Sequence, residues 1–264
     1  MPNDLIITGI PRSGTSYICS IFNMVENTVV INEPDEVLQI LHNSSNVSML
    51  EYYGFVRDRI KNNLPVMNKI VDGKFIEDTN VVDVRSEYLP NVNHESFILG
   101  TKNTQVYLSS LDRLKSQLEG VVVVACVRHP VDTIASWSNV TFSHLKNADP
   151  SFLTGYADED GIKAIKRVLQ KKKVAQRYAM WWNYLAKILI KQSSNIVLIR
   201  YEDMVVNPQE TIDKVYAAAD FPVNMLEPIE PSSPRSFRDK LSSDVIDSIN
   251  EYCKNSAAKL GYQL

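Results

Sequence analysis

The sequence predicts an α/β fold organised around a parallel sheet, and three observations carry that prediction. Short apolar runs alternate with stretches of helical spacing, the pattern of strands joined by helical crossovers. Residues 121–124 have no polar side chain on either face, as expected of a strand covered by helices on both sides. An apolar run at residues 5–8 leads directly into a small-residue turn and a helix start.

Strands are expected at residues 5–8, 28–31, 96–100, 121–127 and 196–200. A helix at residues 16–24 follows the first strand. Leu108, Leu111, Leu114 and Leu118 form one apolar stripe before the 121–127 strand. Residues 162–190 read as one long helical stretch, with Tyr178, Trp181, Trp182, Leu185 and Leu189 as its core face. Ile212, Val215, Tyr216 and Ala219 mark another helix. Leu241, Val245, Ile249 and Tyr252 mark the last, with Gly261 placed to end it. Residues 62–93 fit no single pattern, and 144–161 read as a loop.

The chain has 264 residues, 44% of them hydrophobic, and a net charge of −3. That suits a single domain over 1–264 with a large core. It argues against a general binder of nucleic acid or anionic membrane. The Lys171–Lys173 run reads as a solvated face. No run approaches the length of a membrane span, and neither a secretory leader nor a stalk is expected. Cys19, Cys126 and Cys253 are an odd, scattered set. They exclude a disulfide framework or Cys-rich metal site as the main theme and point to a reducing, cytoplasmic location.

The most informative stretch is Gly9-Ile-Pro-Arg-Ser-Gly-Thr-Ser16. A strand, a tight turn and a helix start aim backbone N–H groups and the positive helix end at one spot, which suits a phosphate. The glycine spacing is that of a P-loop, but Thr15 stands where the usual Lys would be, and the cation is Arg12, inside the loop. Without that Lys, ordinary nucleotide triphosphate hydrolysis is a poor fit. The bland alternative is a Gly/Ser turn with a surface Arg.

A second stretch repeats the logic. The strand at 121–127 ends in Arg128-His-Pro, Pro130 opens a helix, and Ser136 lies two turns along it. An Arg and a Ser at a strand's carboxyl edge make a second phosphate cup, although an ordinary capped turn explains them about as well when taken alone. A nucleotide phosphorylated at both its 5′ and 3′ positions needs two such cups.

On these residues the chain resembles the sulfotransferases that use 3′-phosphoadenosine-5′-phosphosulfate (PAPS). Gly9–Ser16 resembles their 5′-phosphosulfate loop. Arg128-His-Pro-Val-Asp-Thr-Ile-Ala-Ser136 resembles their 3′-phosphate motif, and Arg200-Tyr-Glu-Asp-Met-Val-Val-Asn-Pro208 a later family segment. The resemblance implies a three-layer α/β/α fold with a central parallel sheet, like that of P-loop nucleotide hydrolases. It implies PAPS as co-substrate with no metal, and cofactor contacts from Pro11, Arg12, Ser13, Gly14, Thr15, Ser16, Arg128 and Ser136.

Sulfuryl transfer requires cations around the moving group and a base for the acceptor proton. Arg12 is the first cation candidate. Lys102, at a strand end, is the second, and it matches an active-site Lys of the protein-tyrosine branch. The His that the small-molecule branch carries just after this strand is absent, because Asn103, Thr104, Gln105 and Val106 follow Lys102. His42, His94, His129 and His144 read as structural or surface residues. Glu33 ends the second strand in the register of the catalytic Glu of the protein-tyrosine and carbohydrate branches. It is the candidate base, with partial burial expected to raise its pKa. Its alternative role is to favour the dipole of the helix that follows Pro34.

Residues 43–93 and 144–172 are expected to shape the acceptor pocket, with Tyr52, Tyr53, Tyr107, Phe142 and Phe152 as candidate wall residues. Ser232-Ser-Pro-Arg-Ser236 is a candidate cover for the nucleotide. The acceptor itself, a small molecule, carbohydrate or peptide, is open. Two other readings stand beside this one: a P-loop small-molecule kinase and a catalytically silent nucleotide-binding protein.

Overall fold

The computed structural model describes residues 4–42, 46–78, 83–139, 143–150 and 156–264. Phe142 and Phe152 therefore lie outside the described residues. The elements run β1 (Leu5–Gly9), α1 (Thr15–Phe22), β2 (Thr28–Asn32), α2 (Asp35–Leu41) and α3 (Met49–Lys61). Four short strands follow: β3 (Val66–Asn68), β4 (Ile70–Val71), β5 (Lys74–Phe75) and β6 (Ser86–Tyr88). Then come β7 (Ile98–Lys102), α4 (Gln105–Ser109), α5 (Leu111–Gln117), β8 (Val122–Val127), α6 (Pro130–Asn139) and α7 (Ser143–Asn147). The chain closes with α8 (Glu159–Leu169), α9 (Val174–Gln192), β9 (Val197–Arg200), α10 (Tyr201–Val206), α11 (Pro208–Ala218) and α12 (Ser243–Lys259).

β2, β7, β1, β8 and β9 form one sheet in that order, every pairing parallel. Strand alternation sends successive side chains to opposite faces. Leu5, Ile7, Val124 and Cys126 pack with Ile18 and Phe22 of α1, Met204 of α10 and Tyr216 of α11. Ile6, Val29, Leu99 and Val123 point the other way, against α2, α3, α4 and α5. Ala125 and Val127 meet Trp137 of α6, Trp181 and Leu185 of α9, and Cys253 of α12. Both faces are thus covered, as the unbroken apolar run at 121–124 requires. Complete burial of a side chain such as Ile7 or Val124 contributes about 1.5–3 kcal/mol.

Several elements differ from the sequence expectation. β7 lies two residues later than expected and takes Lys102 as its last residue. The leucine stripe continues through 108–118, but Ser110 divides it into α4 and α5. The long 162–190 helix is two helices. The buried Arg177 guanidinium donates to the carbonyls of Lys171, Lys172, Leu145 and Lys146, which fixes an open turn before α9. The unassigned 62–93 stretch holds two small antiparallel pairs, β3 with β6 and β4 with β5. The 144–161 stretch, read as loop, includes most of α7 and the start of α8.

β1 leads to β2 on one side of the sheet, and β8 leads to β9 on the other. The loops after β1 and β8 therefore diverge at their carboxyl ends, where open α/β sheets hold ligands.

Candidate active site

A cavity of about 670 Å³ opens at this divergence. Pro11, Arg12, Gly14, Thr15, Ser16, Glu33, Lys102, Arg128 and Ser136 all line it. Ser13 does not. Its side chain is fully buried and its N–H donates to the Ile10 carbonyl at 3.1 Å.

The loop after β1 is shaped by close approach. A Cβ on Gly9 would lie 2.2 Å from the Cys126 carbonyl oxygen, so the chain leaves β1 against β8 only with glycine there. Arg12 and Gly14 both take left-handed backbone, at φ 72° and 82°. Gly14 caps α1 without a side-chain hydrogen bond, which leaves the first-turn N–H groups open toward the cavity.

Arg12 is the hub between the two sequence motifs. Its Nε donates to Ser136 Oγ at 3.0 Å, and its two Nη atoms grip Asp78 at 2.6 and 2.7 Å. Arg128, at 5% exposure, donates to the backbone carbonyls of Arg12 and Arg235 and lies 4.3 Å over the Tyr201 ring. Its Nε is buried with no hydrogen-bond partner among the described residues. An open helix start, a buried guanidinium with a spare donor and a hydroxyl beside a second guanidinium fit a doubly phosphorylated nucleotide. Asp132 holds the 236–238 strap beside this site, accepting from Ser236 Oγ at 2.8 Å and Arg238 Nε at 3.1 Å. Ser232, Ser233, Arg235 and Phe237 line the same cavity.

Glu33 and Lys102 meet at the neighbouring ends of β2 and β7. Lys102 Nζ donates to Glu33 Oε1 at 2.7 Å and to Ser16 Oγ at 3.1 Å. The other Glu33 oxygen accepts from Lys69. Burial pulls the Glu33 pKa up, but Lys102 and Lys69 outweigh it and hold the carboxyl at about 2. This corrects the expectation of a raised pKa. Nor does Glu33 serve the α2 dipole, because its carboxylate points to the two lysines.

Lys69, Asp78 and Tyr201 were not anticipated. Tyr201 lies in a segment with family resemblance, whereas Lys69 and Asp78 come from the patternless 62–93 stretch. Tyr52, Tyr53 and Tyr107 are not pocket walls. They are buried in the core, and the Tyr53 hydroxyl donates to the Leu5 carbonyl at 2.7 Å. Among the described residues, none from 144–172 lines the cavity. Leu145, Ile165 and Val168 from that stretch join the core. His129 is tied down as a turn residue: its ring meets the Gln263 carbonyl at 2.9 Å, and burial pushes its pKa below the usual imidazole value. Glu202 accepts from the His129 N–H and the Tyr262 hydroxyl, which docks the C-terminal residues against this turn. Among the described residues, no helix is long and apolar enough to cross a membrane.

The family model for the sulfotransferase domain matches residues 2–259. Comparison with curated proteins finds no match. Among solved structures, the chain is similar to the sulfotransferase domain from the curacin biosynthetic pathway, at 16% identity and a TM-score of 0.48, covering 100% of this chain and 99% of that one. It is also similar to a sulfotransferase from Alicyclobacillus acidocaldarius, at 12% identity and 0.47, covering 100% and 98%. The sulfotransferase domain of the Synechococcus PCC 7002 olefin synthase aligns at 14% identity and 0.47, covering 100% and 97%. At these scores the family rests on the domain match alone.

Proposed function

The chain belongs to the sulfotransferase domain family, and from that membership we propose how its residues divide the work of sulfuryl transfer from PAPS to an acceptor. PAPS supplies the sulfuryl group when bound. The open N–H groups at the start of α1, with Pro11, Gly14, Thr15 and the Ser16 hydroxyl, hold its 5′-phosphosulfate, and Ser13 shapes the loop from beneath. Arg12 neutralises charge at the same end. Arg128 and Ser136 hold the 3′-phosphate, and Tyr201 keeps the Arg128 guanidinium flat against it.

Glu33 takes the proton from the acceptor hydroxyl or amine. The observation that supports this most is the position of Lys102, whose ammonium stands between Ser16 of the anion loop and Glu33. A carboxylate held near 2 is ionised at neutral pH but weakly basic. When Lys102 turns toward charge developing near Ser16, Glu33 loses one of its two cations and its basicity rises. Lys102 thereby couples stabilisation of the leaving group to activation of the acceptor.

The acceptor enters past the 62–93 region, whose Glu77, Asp78 and Asp83 line the cavity. A small molecule, a carbohydrate or a peptide side chain fits this reading. A cytoplasmic location belongs to the same proposal and is supported by three free, buried cysteines.

Two measurements test it. Thermal shift should favour 3′,5′-ADP over 5′-ADP and Mg²⁺-ATP, and stabilisation by Mg²⁺-ATP alone would replace the reading with a kinase. Glu33→Gln should keep 3′,5′-ADP binding and lose most transfer of labelled sulfate in an acceptor screen. Wild-type turnover in that variant removes Glu33 as the base.

A further inference from the structure

We propose that Lys69 is a positioning residue for the transfer reaction: it holds the outer oxygen of Glu33 so that the carboxylate stays ionised and aimed while Lys102 serves the sulfuryl group. This rests on the reading of Glu33 as the base.

Lys69 lies in the linker between β3 and β4, far from both sequence motifs, yet it is only 3% exposed. An ammonium so deeply buried requires paired charges. It has two, Glu33 and Asp83, the second at 2.9 Å. Two ammonium groups, Lys69 and Lys102, thus face two carboxylates, and the cluster is neutral before substrate enters.

The linker is fixed to the sheet by Asn68, itself buried. The Asn68 side chain accepts from the N–H of Asn32 and of Lys69, each at 2.9 Å, and donates to the Val30 carbonyl at 2.7 Å. Lys69 is therefore carried by the same strand end that presents Glu33. Glu33 has left-handed backbone, φ 52°, pinned by its N–H to the Lys102 carbonyl at 2.8 Å and by Arg85 to its own carbonyl at 2.6 Å. With the main chain clamped, the freedom left to Glu33 lies in its side chain, and Lys69 removes it.

Lys102 alone cannot do both tasks. Once its ammonium turns toward the anion loop, a largely buried carboxylate without a second cation would take a proton from water and be lost as a base. The charged and titratable groups around Glu33 are Lys102 of β7, Lys69 and Asp83 of the hairpin region, Arg85 with its partner Asp35, Cys19 of α1 and Tyr107 of α4. Among the described residues, Lys69 is the one cation on the carboxylate besides Lys102.

The test follows the Glu33 carboxylate by ¹³C NMR in the full chain, its signal assigned by loss in Glu33→Gln. Lys69→Gln should move the Glu33 titration upward by about 1–3 pH units. It should leave 3′,5′-ADP affinity unchanged and lower kcat by up to about 100-fold, with the acid limb of kcat shifted upward in step. Lys69→Arg, which keeps the charge, should restore the low titration. An unmoved Glu33 titration in Lys69→Gln overturns the proposal, even if Glu33→Gln is inactive and the base assignment stands. Full turnover in Glu33→Gln overturns both. Should Lys69→Gln fail to fold, the ¹⁵N signal of the Lys69 ammonium decides: it must shift in Glu33→Gln, and an unmoved signal refutes the pairing.

Discussion

Arg12 grips both carboxylate oxygens of Asp78, at 2.6 and 2.7 Å, across the mouth of the anion loop. On the proposed reading Arg12 receives the sulfated phosphate, yet here a carboxylate from the β5–β6 segment occupies it. A nucleotide bound as proposed must take Arg12 from Asp78. Both side chains are partly exposed, so a pair of this kind is worth about 1 kcal/mol. Asp78→Asn should therefore tighten 3′,5′-ADP binding about fivefold, measured by isothermal titration calorimetry. Weaker binding would mean that Asp78 orders Arg12 for the ligand instead of competing with it.

Arg128→Ala removes a buried guanidinium that braces the Arg12 and Arg235 carbonyls. Loss of a charge-assisted phosphate contact costs roughly 2–4 kcal/mol. The expected outcome is a strong fall in 3′,5′-ADP affinity, with 5′-ADP affected far less. Equal losses for the two nucleotides would show that Arg128 supports the loop without reading the 3′ position.

Gly14→Ala tests the loop itself. The added Cβ would sit 2.7 Å from both the Tyr201 ring and the Met204 methyl, on left-handed backbone. Met204 can yield, but Tyr201 is stacked on Arg128 and cannot move without disturbing it. Urea unfolding should report a loss of about 1–3 kcal/mol, together with weakened nucleotide binding.

Glu33 also links stability to acid. Its folded pKa, about 2, lies below the 4.5 of a free Glu. A depressed folded pKa stabilises the protein fully above 4.5, and that contribution fades as pH falls through the window down to about 2. Its size is on the order of 3 kcal/mol. Wild type should lose more stability than Glu33→Gln between pH 5 and about pH 2, measured by urea midpoints. Parallel acid profiles would place the stabilising charge elsewhere.

Most of what was legible in the sequence is local in the chain. Strand, turn and helix lie side by side around residues 5–22 and 122–139, so spacing marks the first loop as a candidate anion site, and the second gains weight only when paired with it. Glu33 and Lys102 were reachable because the family register falls on the carboxyl ends of two neighbouring sheet strands. Lys69 and Asp78 were not, because β3 to β6 are only two or three residues long, too short for a period to register. Their place is set by pairing between β3 and β6, across nearly twenty intervening residues. The breaks at Ser110 and before Val174 escaped notice for a related reason. The apolar stripe continues across the first, the Lys171–Lys173 run at the second reads as a solvated helix face, and two of the Arg177 contacts that fix the second go to the distant carbonyls of Leu145 and Lys146. The tyrosines misled because an aromatic with a polar tip suits a pocket wall and a core equally. Tyr53 went to the core because the Leu5 carbonyl and the Thr101 hydroxyl satisfy its oxygen there.

The strand order also bears on how the domain is made. Leu5 pairs with Gly100 on one side and Val122 on the other. The strand β1 therefore waits, unpaired along both edges, until roughly a hundred further residues have left the ribosome. Slow folding follows from that delay, and the loop after β1 is assembled only when it ends.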